Sequence, residues 1–186
     1  MGWKGSLAAL LTGAIIAAAI MLGMNAAGVG VWTVVGSSME DTLHSGDIVF
    51  GERRPTAIAV NDVIVFTDTG DWSGSTRSHI IKRVIAVAGD RVRINARGVI
   101  TVNGKRQHDV HGEYAMSCQA APIDMTIPAG RVFARGDNAS VSDDSRYQAC
   151  NGDGANALVP VTDVMLRADG FRLPIGSWVN AVEEAL

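Results

Sequence analysis

The feature that most constrains this chain is a long stretch without a charged side chain, which runs from Lys4 to Glu40. Within it lies the segment LAALLTGAIIAAAIMLGM, residues 7–24, which only Thr12 and two glycines interrupt. At a rise of about 1.5 Å per residue, a helix of this length covers close to the ~30 Å of hydrocarbon in a bilayer. The segment therefore predicts a single transmembrane helix.

Two other interpretations of this segment stay open. It resembles a secretory signal in having Lys4 before it and the small residues Ala26 and Ala27 after it, and it is apolar enough for a buried core helix. Its length favours a membrane span. Lys4 is the only basic side chain nearby, so the positive-inside rule predicts a cytoplasmic N-terminus. We expect an anchor over residues 1–35 and an extracytoplasmic domain over 36–186 of a plasma-membrane protein, with an organellar inner membrane as the alternative location.

The charge of the chain excludes one class of partner. Its 186 residues include 16 Lys or Arg and 19 Asp or Glu, for a formal net charge of −3. Binding to nucleic acid without sequence preference needs a basic face that displaces counterions from the phosphates. We therefore expect no nucleic-acid partner.

Beyond residue 40 the pattern is of short strands. Runs rich in β-branched residues alternate with turn residues, and the clearest hairpin joins RVRIN to VITVN around Ala96-Arg97-Gly98. Asn103-Gly104 follows at once and is typical of a type I′ turn. These patterns predict an all-β fold, a partly open antiparallel barrel-like domain after the anchor.

The two cysteines fit a domain outside the cytoplasm, where paired cysteines are usually bridged. Cys118 and Cys150 are therefore disulfide candidates, although two unpaired buried thiols remain an alternative. His108 and His111 lack partners at ligand spacing, so we expect a solvated loop there and no metal site.

Three short elements contain the residues that suggest chemistry. Ser37-Ser38-Met39 follows the apolar segment, where a serine would lie at the membrane surface. Lys82 interrupts an apolar strand and shares a face with Ile80 and Val84, while Arg83 points the other way. Such a lysine either extends its amine to solvent or is desolvated and becomes a usable base. The third element is the polar loop GDNASVSDDSR, residues 136–146.

Together these elements resemble the type I signal peptidases, membrane-anchored Ser/Lys peptidases that remove signal peptides from exported preproteins. The resemblance covers most of the chain. It rests on the anchor and on three motifs in the family's order: SMEDTLHSGD (38–47), IKRV (81–84) with GDRV (89–92), and GDN (136–138) followed by SDDSR (142–146).

The resemblance implies a role for each matching residue. Ser38 would be the nucleophile and Lys82 the general base, with Ser142 holding the lysine amine. Met39 follows the nucleophile in the motif, and Ser37 is a candidate second oxyanion donor beside the Ser38 N–H. The resemblance also implies that Asp144 and Arg146 brace the loop beneath the site. It further implies an ion pair between Asp137 and Arg83. No cofactor is implied.

The chain departs from the family's pattern at two positions beside the serine. Asp41 stands where the motif has proline, and a carboxylate close to Lys82 would favour the charged amine. Gly36 has no side chain at a position where some members place a hydroxyl for the oxyanion. His79, three residues before Lys82, is a weaker candidate base.

The resulting hypothesis is a single-pass serine endopeptidase whose partners are signal-peptide-bearing preproteins and membrane lipid. One rival is a relative specialised for pilin or conjugation precursors. Another is a catalytically silent, membrane-anchored β module that binds extended peptides. Self-cleaving repressors share the Ser/Lys chemistry, but no DNA-binding helical region precedes Ser38. The sequence leaves the oligomeric state open.

Overall fold

The computed structural model describes residues 3–40, 42–68, 72, 78–107, 122–151 and 155–174. It begins with a helix, α1 (Trp3–Ala26), of 24 residues. Residues Leu7–Ala26 are long and apolar enough to cross a membrane, and the side chains of this segment are exposed on the isolated chain. An apolar helix that packs against no protein core is typical of a membrane span and unlike a core helix.

The helix ends earlier than the predicted anchor. Gly28 has a φ of +72°, a left-handed conformation that commonly terminates helices. The chain then enters the first strand at Val29, so residues 29–33 belong to the sheet although the sequence analysis placed them within the anchor. The β-branched Val29 and Val31 favour this extended conformation.

Within the described residues the larger sheet has seven antiparallel strands, which in chain order are β1 (Val29–Thr33), β2 (Asp47–Arg53), β3 (Val63–Thr67), β4 (His79–Ala86), β9 (Arg131–Arg135), β10 (Val159–Pro160) and β11 (Val164–Pro174). Their spatial order is β1-β2-β11-β3-β4-β9-β10. In β4 each residue from 81 to 86 except Arg83 is buried, so this part of the strand has buried side chains on both faces.

In the part of the chain that the structure describes, a smaller sheet has four antiparallel strands, β5 (Arg91–Ile94), β6 (Ile100–Val102), β7 (Lys105–Arg106) and β8 (Ile123–Thr126). Their spatial order is β7-β6-β5-β8. The predicted hairpin is the β5–β6 pair. Asn103 and Gly104 both have positive φ, as a type I′ turn requires.

The mostly β, open antiparallel architecture confirms the predicted fold class. The chain also contains a helix that the sequence analysis did not predict, α2 (Ser145–Asn151), and two short 3-10 turns, Ala155–Ala157 and Val161–Asp163. Asp144 caps α2, because its Oδ1 accepts hydrogen bonds from the N–H groups of Arg146 (3.0 Å) and Tyr147 (3.2 Å). The polar loop thus ends in a helix that fixes its direction.

Candidate active site

Ser38 and Lys82 lie in contact, although 44 residues separate them. The Nζ of Lys82 donates a hydrogen bond to the Oγ of Ser38 at 2.7 Å. Lys82 stands in the middle of β4, opposite Ile64 of β3. Ser38 occupies a turn after β1 that Gly36 opens with a φ of +88°. Met39, 1% exposed, anchors this turn in an apolar cluster with Val34 and Leu43.

The Lys82 amine is buried, with only 4% of the residue exposed. Burial lowers its pKa from the ordinary 10.5 to about 8, against the nearby charges of Asp144, Asp143 and Asp137, which raise it. At a pKa of about 8, roughly a tenth of the amine is neutral at pH 7 and about half at pH 8. The pair therefore combines a hydroxyl with an amine that can accept its proton near neutral pH.

The loop after β9 clamps the serine turn through its backbone. The N–H of Asn138 donates to the Ser38 carbonyl at 3.0 Å, and its side-chain Nδ2 donates to the Ser37 carbonyl at 3.2 Å. Gly136 allows this approach, because a Cβ built on it would lie 2.4 Å from the Ser38 carbonyl oxygen and 2.2 Å from the Ser142 Oγ. No larger residue fits at position 136 without displacing the turn.

The implied Arg83–Asp137 pair is present. The Nε and Nη2 of Arg83 donate to the two carboxylate oxygens of Asp137 at 2.9 and 2.7 Å, and Asp137 is 2% exposed. Burial opposes the charge on Asp137, but hydrogen bonds from Arg83 and Thr42 outweigh it and lower the pKa of the carboxyl group. Arg83 leaves β4 on the opposite side from Lys82, so the two cations hold different segments.

Ser142 is placed differently from its implied contact with Lys82. Its Oγ accepts a hydrogen bond from the N–H of Gly136 at 3.2 Å. Within the described residues, the Nζ of Lys82 donates to Ser38 and not to Ser142. Because Gly136 has no side chain, the buried Ser142 hydroxyl can lie against the loop backbone. The predicted Lys82–Ser142 hydrogen bond is therefore not formed here.

Asp144 and Arg146 lie beneath the same loop and are fully buried. The Oδ2 of Asp144 accepts a hydrogen bond from Gly136 at 3.2 Å, while its Oδ1 reaches the backbone N–H of Arg146. The Nη2 of Arg146 lies 3.5 Å from the carbonyl oxygen of Ala139. Asp144 therefore ties the start of α2 to Gly136, and Arg146 supports the middle of the loop.

The Ser38–Lys82 pair opens into a cavity of about 280 Å³. Its wall combines the serine turn, the start of β4, and side chains from two further loops. The lining residues are Val35, Gly36, Ser37, Ser38, Trp72, His79, Ile80, Ile81, Lys82, Val141 and Asp143. Ser37 thus shares the cavity with Ser38, and the ring of His79 packs on Trp32, with centroids 4.6 Å apart.

Several residues of the sequence analysis lie outside the described part of the chain. They are Asp41, Cys118, His108 and His111. The expected influence of Asp41 on Lys82 therefore stays a prediction. Cys150 is disulfide-bonded, and its pairing with Cys118 likewise stays a prediction.

Four residues of the site were not assigned a role from the sequence: Gly136, Asn138, Asp143 and Trp72. Asp143 is half-buried beside Lys82, and burial raises the pKa of its carboxyl group although Gln148 donates a hydrogen bond to it at 2.8 Å. The sequence feature that could have indicated a role for Asp143 is its position directly before Asp144, which gives two successive aspartates. Trp72 and Asn138 carry no local signal, because their partners are distant in sequence.

A serine whose hydroxyl contacts a desolvated lysine amine, in an open cavity of a β domain, defines a class of serine peptidase. Comparison with known proteins agrees: residues 7–170 match the family model of signal peptidase, peptidase S26. The chain therefore belongs to the signal peptidase family S26 and is a hydrolase of the serine peptidase class.

Individual relatives are similar at modest identity. The probable signal peptidase I of Mycobacterium leprae is 27% identical over 202 residues, covering 79% of this chain and 69% of the relative. The signal peptidase I of Mycobacterium tuberculosis H37Rv is 28% identical over 195 residues, covering 79% of this chain and 66% of the relative. A crystal structure of a signal peptidase I from Enterococcus faecalis aligns with a TM-score of 0.41 at 21% identity, covering 60% of this chain and 97% of that one.

Proposed function

We propose that this chain is a membrane-anchored endopeptidase that removes signal peptides from exported preproteins, with Ser38 as nucleophile and Lys82 as general base. The observation that carries the proposal is the 2.7 Å contact between the Ser38 hydroxyl and a buried amine whose pKa is lowered to about 8. Family membership supports the reaction, and the contact supports the assignment of its two residues.

The proposed reaction proceeds in two steps, acylation of Ser38 and hydrolysis of the resulting ester. The neutral Lys82 amine takes the proton of Ser38 as Oγ attacks the scissile carbonyl, which forms a tetrahedral oxyanion. When the carbon–nitrogen bond breaks, the ammonium of Lys82 returns the proton to the leaving amine of the mature protein. In the second step the same amine takes a proton from a water molecule as its oxygen attacks the ester carbonyl on Ser38. The carbon–oxygen bond to Ser38 then breaks, the ammonium of Lys82 returns the proton to the Ser38 Oγ, and the signal peptide leaves with a new carboxylate.

Backbone N–H groups would stabilise the oxyanion. The N–H of Ser38 donates to none of the acceptors in the described residues, which leaves it available for this purpose. We assign it as the first donor and the neighbouring Ser37, which lines the same cavity, as the second.

The substrate would bind as an added strand. In the described residues, β9 pairs with β4 only from Arg83 onward, so residues 79–82 of β4 keep one edge free beside the cavity. An extended peptide can hydrogen-bond to such an edge while alternate side chains enter pockets. We propose that the bound precursors carry small residues, such as alanine, at the first and third positions before the scissile bond.

The anchor would place this chemistry at the outer face of the membrane. We assign α1 as the membrane span, with Lys4 on the cytoplasmic side and the β domain outside. Two residues separate α1 from β1, so the β domain begins directly after the proposed span. The substrate's signal peptide would reach the site from the bilayer.

Cleavage of a signal-peptide precursor by the full chain in detergent micelles tests the proposal. We expect Ser38→Ala and Lys82→Ala each to lower kcat/KM at least about a hundredfold, since each removes one half of the proton-transfer pair. Lys105→Ala, a matched exposed lysine in the smaller sheet, should leave kcat/KM unchanged.

Labelling at Ser38 separates the peptidase from a silent peptide-binding module. A serine-directed acylating probe should modify the parent chain at Ser38 and fail to modify the Lys82→Ala variant. Unlabelled parent chain, or variants that cleave as well as the parent, would refute the assignment. A panel of unrelated precursors then distinguishes a general enzyme, which cleaves most of them, from one that is specialised for pilin or conjugation precursors.

A further inference from the structure

One aromatic side chain separates the Ser38–Lys82 cavity from a second cavity. Trp72 lies in the connection between β3 and β4 and lines both the 280 Å³ cavity and a neighbouring one of about 210 Å³. It is 8% exposed and packs in the same apolar cluster as Ile80 and Val84, the residues that share a face of β4 with Lys82. The indole therefore forms the wall between the two spaces.

Three contacts fix this wall. The Nε1 of Trp72 donates to the carbonyl oxygen of Asn156 at 2.7 Å, and its backbone N–H donates to the buried carboxylate of Asp68 at 3.3 Å. The ring meets Phe66 edge-on, with centroids 5.2 Å apart and an interplanar angle of 79°. A tryptophan held by both its polar atom and its ring cannot swing aside without losing these contacts.

We infer that Trp72 sets the upper size limit for the substrate side chain that enters the Ser38–Lys82 cavity. The inference rests on the function proposed above and adds a specificity-determining residue to it. An extended substrate along residues 79–82 of β4 would direct alternate side chains toward the face of Ile80 and Lys82, which Trp72 closes.

A fixed wall is the physical requirement for such selection. Apolar burial alone favours larger side chains, because each added methylene that finds space stabilises the complex. A preference for small residues therefore needs a rigid steric barrier that larger ones meet. Without the indole, the two cavities would become continuous, and the second would accept the atoms that the wall excludes.

The test compares specificity, not activity alone. Precursors that differ only in one of the three residues before the scissile bond, carrying Ala, Val, Leu or Phe, are cleaved by the full chain in detergent micelles. We expect the parent to discriminate against Leu and Phe at one position or more. Trp72→Ala should raise kcat/KM for Leu or Phe relative to Ala at least tenfold at one such position and leave the ratios at the others unchanged.

Two further variants keep the inference falsifiable. Trp72→Phe retains a ring at the wall and should keep discrimination close to that of the parent. If Trp72→Ala does not fold, Trp72→Leu must show the same directional change in the ratios. Ratios that do not change, or a uniform loss for every precursor, would overturn the role of Trp72 while the parent still cleaves the Ala precursors. A parent that cleaves none of them would overturn the proposed function as well.

Discussion

An arginine or arginines of each sheet hold one aspartate, and the two aspartates differ in burial. Arg83 of the larger sheet donates two hydrogen bonds to Asp137, which lies in the loop after β9 and is 2% exposed. In the smaller sheet, Asp124 accepts three, from Arg91 at 2.7 Å twice and from Arg93 at 3.0 Å. Its side chain is 43% exposed.

Asp124 thus accepts more hydrogen bonds from arginine than Asp137 does, yet we expect it to contribute less to the stability of the fold. Arg91 lowers the pKa of Asp124 to about 2, but water solvates both partners and competes with their attraction. Asp137 has lost its water, so it depends on Arg83 and Thr42 for its charge. The buried pair also ties β4 to the loop that clamps Ser38, whereas the exposed pair links only neighbouring strands.

Removing each aspartate tests this comparison, and the largest effect is expected at the buried pair. Asp137→Ala leaves Arg83 without its buried partner and should lower the free energy of unfolding by about 3–5 kcal/mol. Asp124→Ala should leave the melting temperature close to that of the parent. Tryptophan fluorescence during denaturation in detergent micelles measures both. Equal losses of stability in the two variants would contradict the role given to burial.

The same pair predicts a dependence of stability on pH. The pKa of Asp137 is lower in the folded chain than in the unfolded one, so the ionised carboxylate stabilises the fold above the unfolded pKa. This stabilisation is lost as the pH falls through the folded pKa. In acid, the stability difference between the parent and Asp137→Ala should therefore shrink, which unfolding curves recorded at several pH values would reveal.

Two glycines extend the comparison to the backbone. Gly136 in the site loop has no space for a Cβ, while Gly104 in the smaller sheet has open space but a φ of +80°. Gly136→Ala should cost about 1–3 kcal/mol through overpacking and lower kcat/KM at least tenfold by displacing Ser38. Gly104→Ala should cost about 1–2 kcal/mol through left-handed strain and leave kcat/KM unchanged. Loss of activity in both variants would show that general destabilisation, not the Ser38 contact, is responsible.

The structural features that the sequence could predict are those that depend on neighbouring residues or on a regular alternation of polar and apolar side chains. Alternation along residues 79–86 placed Lys82 and Arg83 on opposite faces, and turn residues located the β5–β6 hairpin. The helix α2 could not be predicted from periodicity, because seven residues are too few to show a 3.6-residue period. Its signal was chemical, an aspartate before Ser-Arg that caps the first turn.

The clamp on Ser38 could not be predicted from local pattern. The Asn138 side chain reaches Ser37 across 101 positions of sequence, and the need for glycine at 136 arises only from that meeting. The wall at Trp72 likewise depends on Asn156, 84 positions away. Such contacts depend on the tertiary fold. A motif can therefore indicate candidate reactive residues, but it does not indicate the distant residues that position them.

The smallest predicted effect concerns Asp143, to which the sequence analysis assigned no role. Asp143 lines the cavity, and its negative charge raises the pKa of Lys82 against the larger effect of burial. Asp143→Asn removes that charge, so the pKa of Lys82 should fall below about 8 and more amine should be neutral at pH 7. The acidic limb of the kcat/KM profile should move to lower pH by a fraction of a unit. Asp124→Asn in the smaller sheet, far from the amine, should not move it. A shift toward higher pH in Asp143→Asn would mean that Asp143 supports the neutral amine, contrary to the electrostatics of the site.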